Sequence, residues 1–210
     1  MQAVVFFCLL CAEVPVKYLR RLLWYLVSRL LILSLVLGLM TIVFYYSMNA
    51  TNVYIVLKDG MANRAQAIMM GVDGAAEADG ASAQAYYRQS GLERYFSVTY
   101  LDRDRQLAQA RAGQSAYQNY YSITGFDHRL SLDRFWCWPW DNEVSAIITE
   151  SIPAIDGKLK SSAREAAQAA GLSGSSPKWE TTQYSVILRL ENGQWHILDL
   201  TPTRVINNQQ

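Results

Sequence analysis

One early stretch of the chain has almost nothing to offer water: residues 22–46 read LLWYLVSRLLILSLVLGLMTIVFYY. From Leu30 to Tyr46 no side chain is charged, and before the two tyrosines only Ser34 and Thr41 are polar. Wound as a helix, the run rises about 37 Å, enough to cross a hydrocarbon layer of about 30 Å with some tilt. A buried helix of a soluble domain would need core on every face over this length. The pattern therefore predicts one transmembrane helix over residues 22–47. Arg29 sits near its start, where a long side chain can reach the headgroups. Trp24, with Tyr18 and Tyr25, at one end and Tyr45 and Tyr46 at the other suit the aromatic belts of the two interfaces.

The flanks set the expected orientation. Lys17, Arg20, Arg21 and Arg29 crowd the N-terminal side, whereas residues 47–57 carry no charge. By the positive-inside rule, residues 1–21 form a cytoplasmic segment and residues 48–204 an extracytoplasmic domain, followed by a short tail at 205–210. The expected location is a cell membrane, crossed once, with the lipid bilayer as first partner.

The outer domain, roughly 160 residues, is long enough for one hydrophobic core. The formal net charge of +1 hides a basic N-terminal segment and a slightly acidic remainder, which leaves no electrostatic footprint for nucleic acid. Of Cys8, Cys11 and Cys137, only Cys137 lies in the outer domain, so no disulfide can form within it. Cys8 and Cys11 have a C-x-x-C spacing, but no second pair follows. Residues 1–12 are apolar without a positive n-region and make a poor signal peptide.

Beyond the span, Val53, Val56, Leu57, Met61, Ile68 and Met69 outline an amphipathic helix stopped by Gly71, continuing the apolar helix with little or no linker. Gly60 weakens its middle. Residues 71–83 are small and acidic and read as a loop. Residues 84–94 and 95–112 read as helical, with Tyr86, Tyr87, Leu92, Tyr95, Phe96, Tyr100, Leu101 and Leu107 as an inward stripe. Residues 120–135 then alternate as a strand, and 143–153 return, with Val144, Ala146, Ile148 and Ile152 facing one way. Between them lies Trp136-Cys137-Trp138-Pro139-Trp140-Asp141-Asn142, in which Pro139 and Asp141-Asn142 suit a turn. Residues 155–158 read as a turn, and Ser162-x-x-Glu165 as a capping box opening a short Ala-rich surface helix. Asn192-Gly193 predicts a two-residue hairpin between strands at 179–191 and 194–201.

Helices followed by a meander of at least four antiparallel strands define an α+β class, with helices covering one face of a curved sheet. The final strand reads Gly193-Gln194-Trp195-His196-Ile197-Leu198-Asp199. In this order of elements, and in a closing strand of the form G-x-W-x-I-x-D, the chain resembles the nuclear-transport-factor-2-like (SnoaL-like) cone-fold superfamily over residues 53–202. With its anchor it is similar to the membrane-bound subset of that superfamily, such as inner-membrane scaffold components of type IV secretion and conjugation systems. The excursion at 161–177 departs from the tight hairpins usual there. Enzymes of the superfamily place a carboxylate base and polar donors in the mouth of the cone. The resemblance implies Asp127, His128, Tyr184 and Asp199 as ligand-pocket candidates, with Asp133, His196, Tyr86 and Tyr87 as further possibilities. Asp199 shares strand parity with Trp195 and Ile197 and would be buried if that side faces the cone.

No nucleophile elbow, phosphate loop or metal spacing accompanies these residues, and His128 and His196 are the only histidines. No cofactor and no metal are expected. Trp136, Trp138 and Trp140 exceed what a turn requires; wherever they project from the core they can dock a partner protein or touch the membrane surface. The alternative is that Trp136 and Trp138 pack inward while Trp140 caps the sheet. The expected function is a non-catalytic binding or assembly domain in a bacterial envelope complex serving secretion, conjugation, sporulation or wall work. Its partners would be membrane or envelope proteins, possibly a second copy. The rival is a tethered small-ligand-binding protein or isomerase/cyclase using the cone pocket.

Overall fold

The computed structural model describes residues 16–72, 83–138 and 140–206. The expectations for residues 1–12, for most of the loop at 71–83, for Pro139 and for the end of the tail lie outside them. The chain divides into two compact units, Met1–Ser47 and Met48–Gln210. Helix α1 (Val16–Met69) contributes to both. In the first unit Leu22, Leu26, Leu33, Leu37, Val43 and Phe44 are all exposed. Among the described residues, this one helix is long and apolar enough to cross a membrane.

The second unit is α+β. After α1 come α2 (Ala83–Gln89), a 3-10 turn (Leu92–Arg94), α3 (Val98–Arg103), α4 (Arg105–Arg111) and α5 (Ala116–Tyr120). Strands β1 (Tyr121–Phe126), β2 (Arg129–Phe135), β3 (Glu143–Ser151) and β4 (Ile155–Leu159) follow. A 3-10 turn (Ser161–Ala163) leads to α6 (Arg164–Ala169), and β5 (Thr182–Glu191) and β6 (Gln194–Val205) close the fold. The main sheet is antiparallel in the order β2-β3-β5-β6, and β1 pairs with β4 in a separate two-stranded sheet.

One side of the main sheet is the core. Val144, Ala146 and Ile148 of β3, Val186 and Leu188 of β5, and Trp195, Ile197 and Leu200 of β6 cluster with Val53, Leu57, Met61 and Ile68 of α1. Tyr86, Tyr87, Leu92, Phe96, Tyr100, Leu101 and Leu107 close the cluster from the helical side, as their spacing predicted, while Tyr95 is only partly buried. Fully burying such aliphatic side chains contributes about 1.5–3 kcal/mol each. Gly60 has a packing reason: a Cβ there would lie 3.0 Å from Tyr95 Cβ and 3.3 Å from Ile197 Cδ1. The helix approaches β6 closely because that position has no side chain. Asn192 (φ 51°) and Gly193 (φ 80°) form the β5–β6 turn, with the two positive φ angles that a primed hairpin needs.

Four local readings change. The strand expected over 120–135 is divided at Asp127-His128, and its halves enter different sheets. Residues 155–158 belong to β4, with Gly157 opposite Ile123; Asp-Gly marks a close strand contact there, since a Cβ on Gly157 would collide with the Ile123 side chain. The capping box does not form: α6 starts at Arg164 behind Ala163, without a side-chain cap, because a 3-10 turn takes up Ser161–Ala163. The helix expected over 95–112 is broken by Asp104, whose extended backbone (ψ 108°) ends α3 and whose side chain caps α4.

Candidate functional site

Two places in the second unit concentrate chemistry: a set of charged groups inside the core and an aromatic loop on the surface. The interior set begins with Arg64, which occupies the buried stripe of α1 between Met61 and Ile68 and is 4% exposed. Its Nε donates to Asp104 Oδ2 at 2.7 Å and its Nη2 to Gln106 Oε1 at 2.7 Å. Among the described residues, Nη1 has no hydrogen-bond partner. Asp104 is fully engaged. Oδ2 also accepts from the Tyr100 hydroxyl at 2.9 Å, and Oδ1 accepts from the Gln106 and Leu107 amides at the start of α4. Burial pushes the Asp104 carboxyl up, but the Arg64 guanidinium and these donors outweigh it and hold the group below its ordinary value of 3.8. Burial likewise pulls Arg64 down, and the charge partners around it leave it raised. Burial is also the main reason that the Tyr100 hydroxyl is held above its usual range.

Across the core stands Glu150, fully buried on the inner face of β3. His128 Nε2 lies 3.1 Å from Oε1, and Trp179 Nε1 donates to Oε2 at 3.3 Å. Tyr184 on β5 is opposite Ile148 and 8% exposed. Burial raises its hydroxyl, and the Glu150 charge raises it further. Glu150 follows the parity of Val144, Ala146 and Ile148, so strand alternation alone could have found it. Arg64 likewise falls on the helical stripe running through Leu57, Met61 and Ile68. Both were missed because a charged residue at an inward position reads as a break in the pattern.

The residues nominated from sequence therefore divide. His128 and Tyr184 are brought into the buried set around Glu150. Asp127 is exposed and forms an ion pair with Arg129 at 2.7 Å. Asp199 does not share the inner face with Trp195 and Ile197, because the β5–β6 register shifts between Ile187 and Leu188. That bulge brings Leu200 inward and leaves Asp199 Oδ2 accepting from the Thr201 hydroxyl at 2.8 Å in an exposed setting. Asp133 lies on the outer side of the sheet. Donation from Thr149, Gln183 and Ser131 holds its carboxyl below the ordinary range. His196 lines a surface cleft with Glu93, Arg189 and Glu191. The Tyr86 hydroxyl donates to the Ala67 carbonyl, and burial pushes it up to about 12. Tyr87 donates toward the Leu101 carbonyl and Asp102 Oδ1. In the first unit Arg20, Arg21, Trp24 and Tyr45 are exposed and Tyr46 is half-buried.

A general base needs a lone pair that substrate can reach. Both oxygens of Asp104 accept from protein donors, both oxygens of Glu150 lie within hydrogen-bond distance of His128 or Trp179, and both groups are buried. The arrangement ties α1 and the α3–α4 junction together on one side and the β1–β2 link to β3 on the other. Among the described residues, no group of three His, Cys, Asp or Glu side chains could hold a metal ion.

The second place is the loop after β2. Trp136, Trp138 and Trp140 are 60%, 41% and 67% exposed, while Cys137 between them is fully buried. Trp138 and Trp140 are stacked, with ring centroids 5.1 Å apart and planes within 7°, and Trp136 meets Trp138 edge-on at 5.2 Å. The loop is pinned by Asp141, whose Oδ2 accepts from the Trp138 amide at 2.7 Å, and the Asn49 side chain lies beside Cys137, where it pulls the thiol down against the burial that pushes it up. None of the three indoles packs inward as the core alternative required. In comparison with known proteins, the chain matches no family model, no curated protein and no solved structure.

Proposed function

We propose that this is a single-pass membrane protein whose second unit is a non-catalytic binding or assembly domain, held at the membrane on the extracytoplasmic side. It would serve a bacterial envelope complex of the kind used in secretion, conjugation, sporulation or wall work. Residues 22–47 span the bilayer, with Arg20 and Arg21 on the cytoplasmic side. The domain is a cone-like member of the nuclear-transport-factor-2-like superfamily. What supports the reading is the state of the buried carboxylates. Asp104 and Glu150 are each satisfied by neighbouring protein groups, so the interior works as a brace and contacts with other molecules fall to the surface.

The test is crosslinking and affinity capture of the full-length protein from its own membranes. Recovery of a defined set of membrane or envelope proteins, or of a second copy, is expected. A small molecule co-purifying in place of any protein would overturn the reading. One observation favours that rival, a tethered ligand-binding protein or isomerase/cyclase: Arg64 Nη1 is a buried donor without a partner among the described residues, a group that an anionic ligand could satisfy. Loss of the co-purified molecule in Arg64→Met would establish the rival.

A further inference from the structure

The exposed tryptophan ladder lies at an informative place along the chain. Asn49, whose side chain lies beside Cys137, follows Ser47, the last residue of the apolar unit, by two residues, at most about 7 Å of chain. The β5–β6 turn gathers at the same end of the domain. Asn49 and Asn52 line one cleft with Gly193, Gln194 and Trp195, and the Leu190 amide donates to the Asn142 carbonyl at 2.8 Å, joining that hairpin to the tryptophan loop. The loop is thus held beside the point at which the chain enters the domain.

We infer that Trp136, Trp138 and Trp140 insert into the headgroup region of the same bilayer that holds residues 22–47, forming a second contact that fixes how the domain stands on the membrane. The inference rests on the membrane-anchor reading above. Three chemical features favour lipid as the occupant. Indole is the side chain best suited to the interface, with an apolar body and one N–H donor. Three such rings within one loop present a contiguous face instead of a single anchor. The charges at this end of the domain are mixed: Arg134 two residues before Trp136, Arg94 and Asp59 in the same cleft, Asp141, and the Glu143–Arg189 ion pair at 2.8 Å, so among the described residues it presents no one-sign basic cluster of the kind that draws a protein to anionic lipid through charge. The contact is therefore one of indole partition. It forms on zwitterionic phosphatidylcholine and persists in high salt.

The experiment uses the full-length chain carrying Trp24→Phe, reconstituted in phosphatidylcholine vesicles with bromine placed either shallow or deep in the acyl chains. Of the remaining tryptophans, Trp195 is buried and Trp179 partly so, so lipid-quenchable emission reports the ladder. The expected result is blue-shifted emission that shallow bromine quenches and deep bromine spares. That loss is unchanged by salt and absent when Trp136→Ser, Trp138→Ser and Trp140→Ser are combined. Far-UV circular dichroism checks that the combined variant folds, and the unsubstituted ladder supplies the primary measurement in any case. Vesicle flotation separates the two readings. A chain that fails to float removes the anchor and this inference together. A chain that floats while acrylamide quenches the ladder and bromine does not leaves the anchor standing and overturns the lipid contact. Shielding from both quenchers would place a protein, such as a second copy, on the ladder and would also overturn it.

Discussion

Removing the Asp104 carboxylate is the most informative perturbation of the interior. Asp104→Ala leaves the Arg64 guanidinium buried without its carboxylate, with Gln106 still accepting, and takes from the Tyr100 hydroxyl the carboxylate to which it donates. It also uncaps α4. Breaking one side of a buried ion pair costs about 3–5 kcal/mol, and a lost N-cap about 1 kcal/mol. The two share atoms, so they do not simply add, and the expected loss is about 4–5 kcal/mol. A domain of this size unfolds with a urea slope on the order of 2 kcal/mol per molar. The midpoint should therefore fall by about 2 M. The assay is urea titration of the full chain in detergent, followed by the emission of Trp179 and Trp195. Trp179 donates to Glu150 and Trp195 lies in the core, so both report on the domain. Arg64→Met alone should cost less, since the Asp104 carboxylate it leaves keeps the Tyr100 hydroxyl and the Gln106 and Leu107 amides as donors. Adding it to Asp104→Ala should recover part of the loss, because the uncompensated charge is then gone. A midpoint shift below about 0.5 M for Asp104→Ala would refute the reasoning, as would a double variant no more stable than Asp104→Ala alone.

Three further outcomes follow from the same geometry. Gly60→Ala gains about 1 kcal/mol of helix propensity but presses a methyl against Tyr95 and Ile197, an overpacking cost of about 1–3 kcal/mol; a net loss of about 1 kcal/mol should lower the thermal midpoint by about 2–4 °C. Asp104 has a folded pKa depressed below 3.8, so its contribution is present above that pH and is lost as pH falls through the folded value; acid titration of the wild type should show unfolding in that window, and Asp104→Asn should flatten it. Asp199→Asn should change the urea midpoint by no more than about 0.5 kcal/mol equivalent, because the half-buried carboxylate lies off the inner face and accepts from the exposed Thr201 hydroxyl; a large shift would return Asp199 to the inner face.

Much of the architecture is legible along the chain. The β5–β6 hairpin follows from Asn192-Gly193, and the inward residues of β3 follow from alternation. The helical core positions Leu57, Met61 and Ile68 follow from their spacing, and Gly71, at φ 79°, stands two residues past the end of α1. The interior site was only half legible. His128 and Tyr184 could be nominated, but their partner Glu150 was hidden by treating inward positions as apolar, and Asp104 by reading 95–112 as one helix. Asp199 was misplaced by extending strand parity across a bulge, which strict alternation cannot anticipate.

Features with local causes can be read along the chain: a run of apolar side chains long enough to cross a membrane, a turn that needs two positive φ angles, and stripes set by the helix and strand periods. Other features emerge on folding, because their causes lie far apart along the chain. Arg64 meets Asp104, and Glu150 meets both His128 and Trp179. The bulge turns Asp199 away from the core, and the Leu190 amide joins the β5–β6 hairpin to the tryptophan loop at Asn142. The physical reason is that burying a charge is tolerated only beside its partners. Which partners arrive is set by how the sheet and helices close on one another, not by the residues on either side.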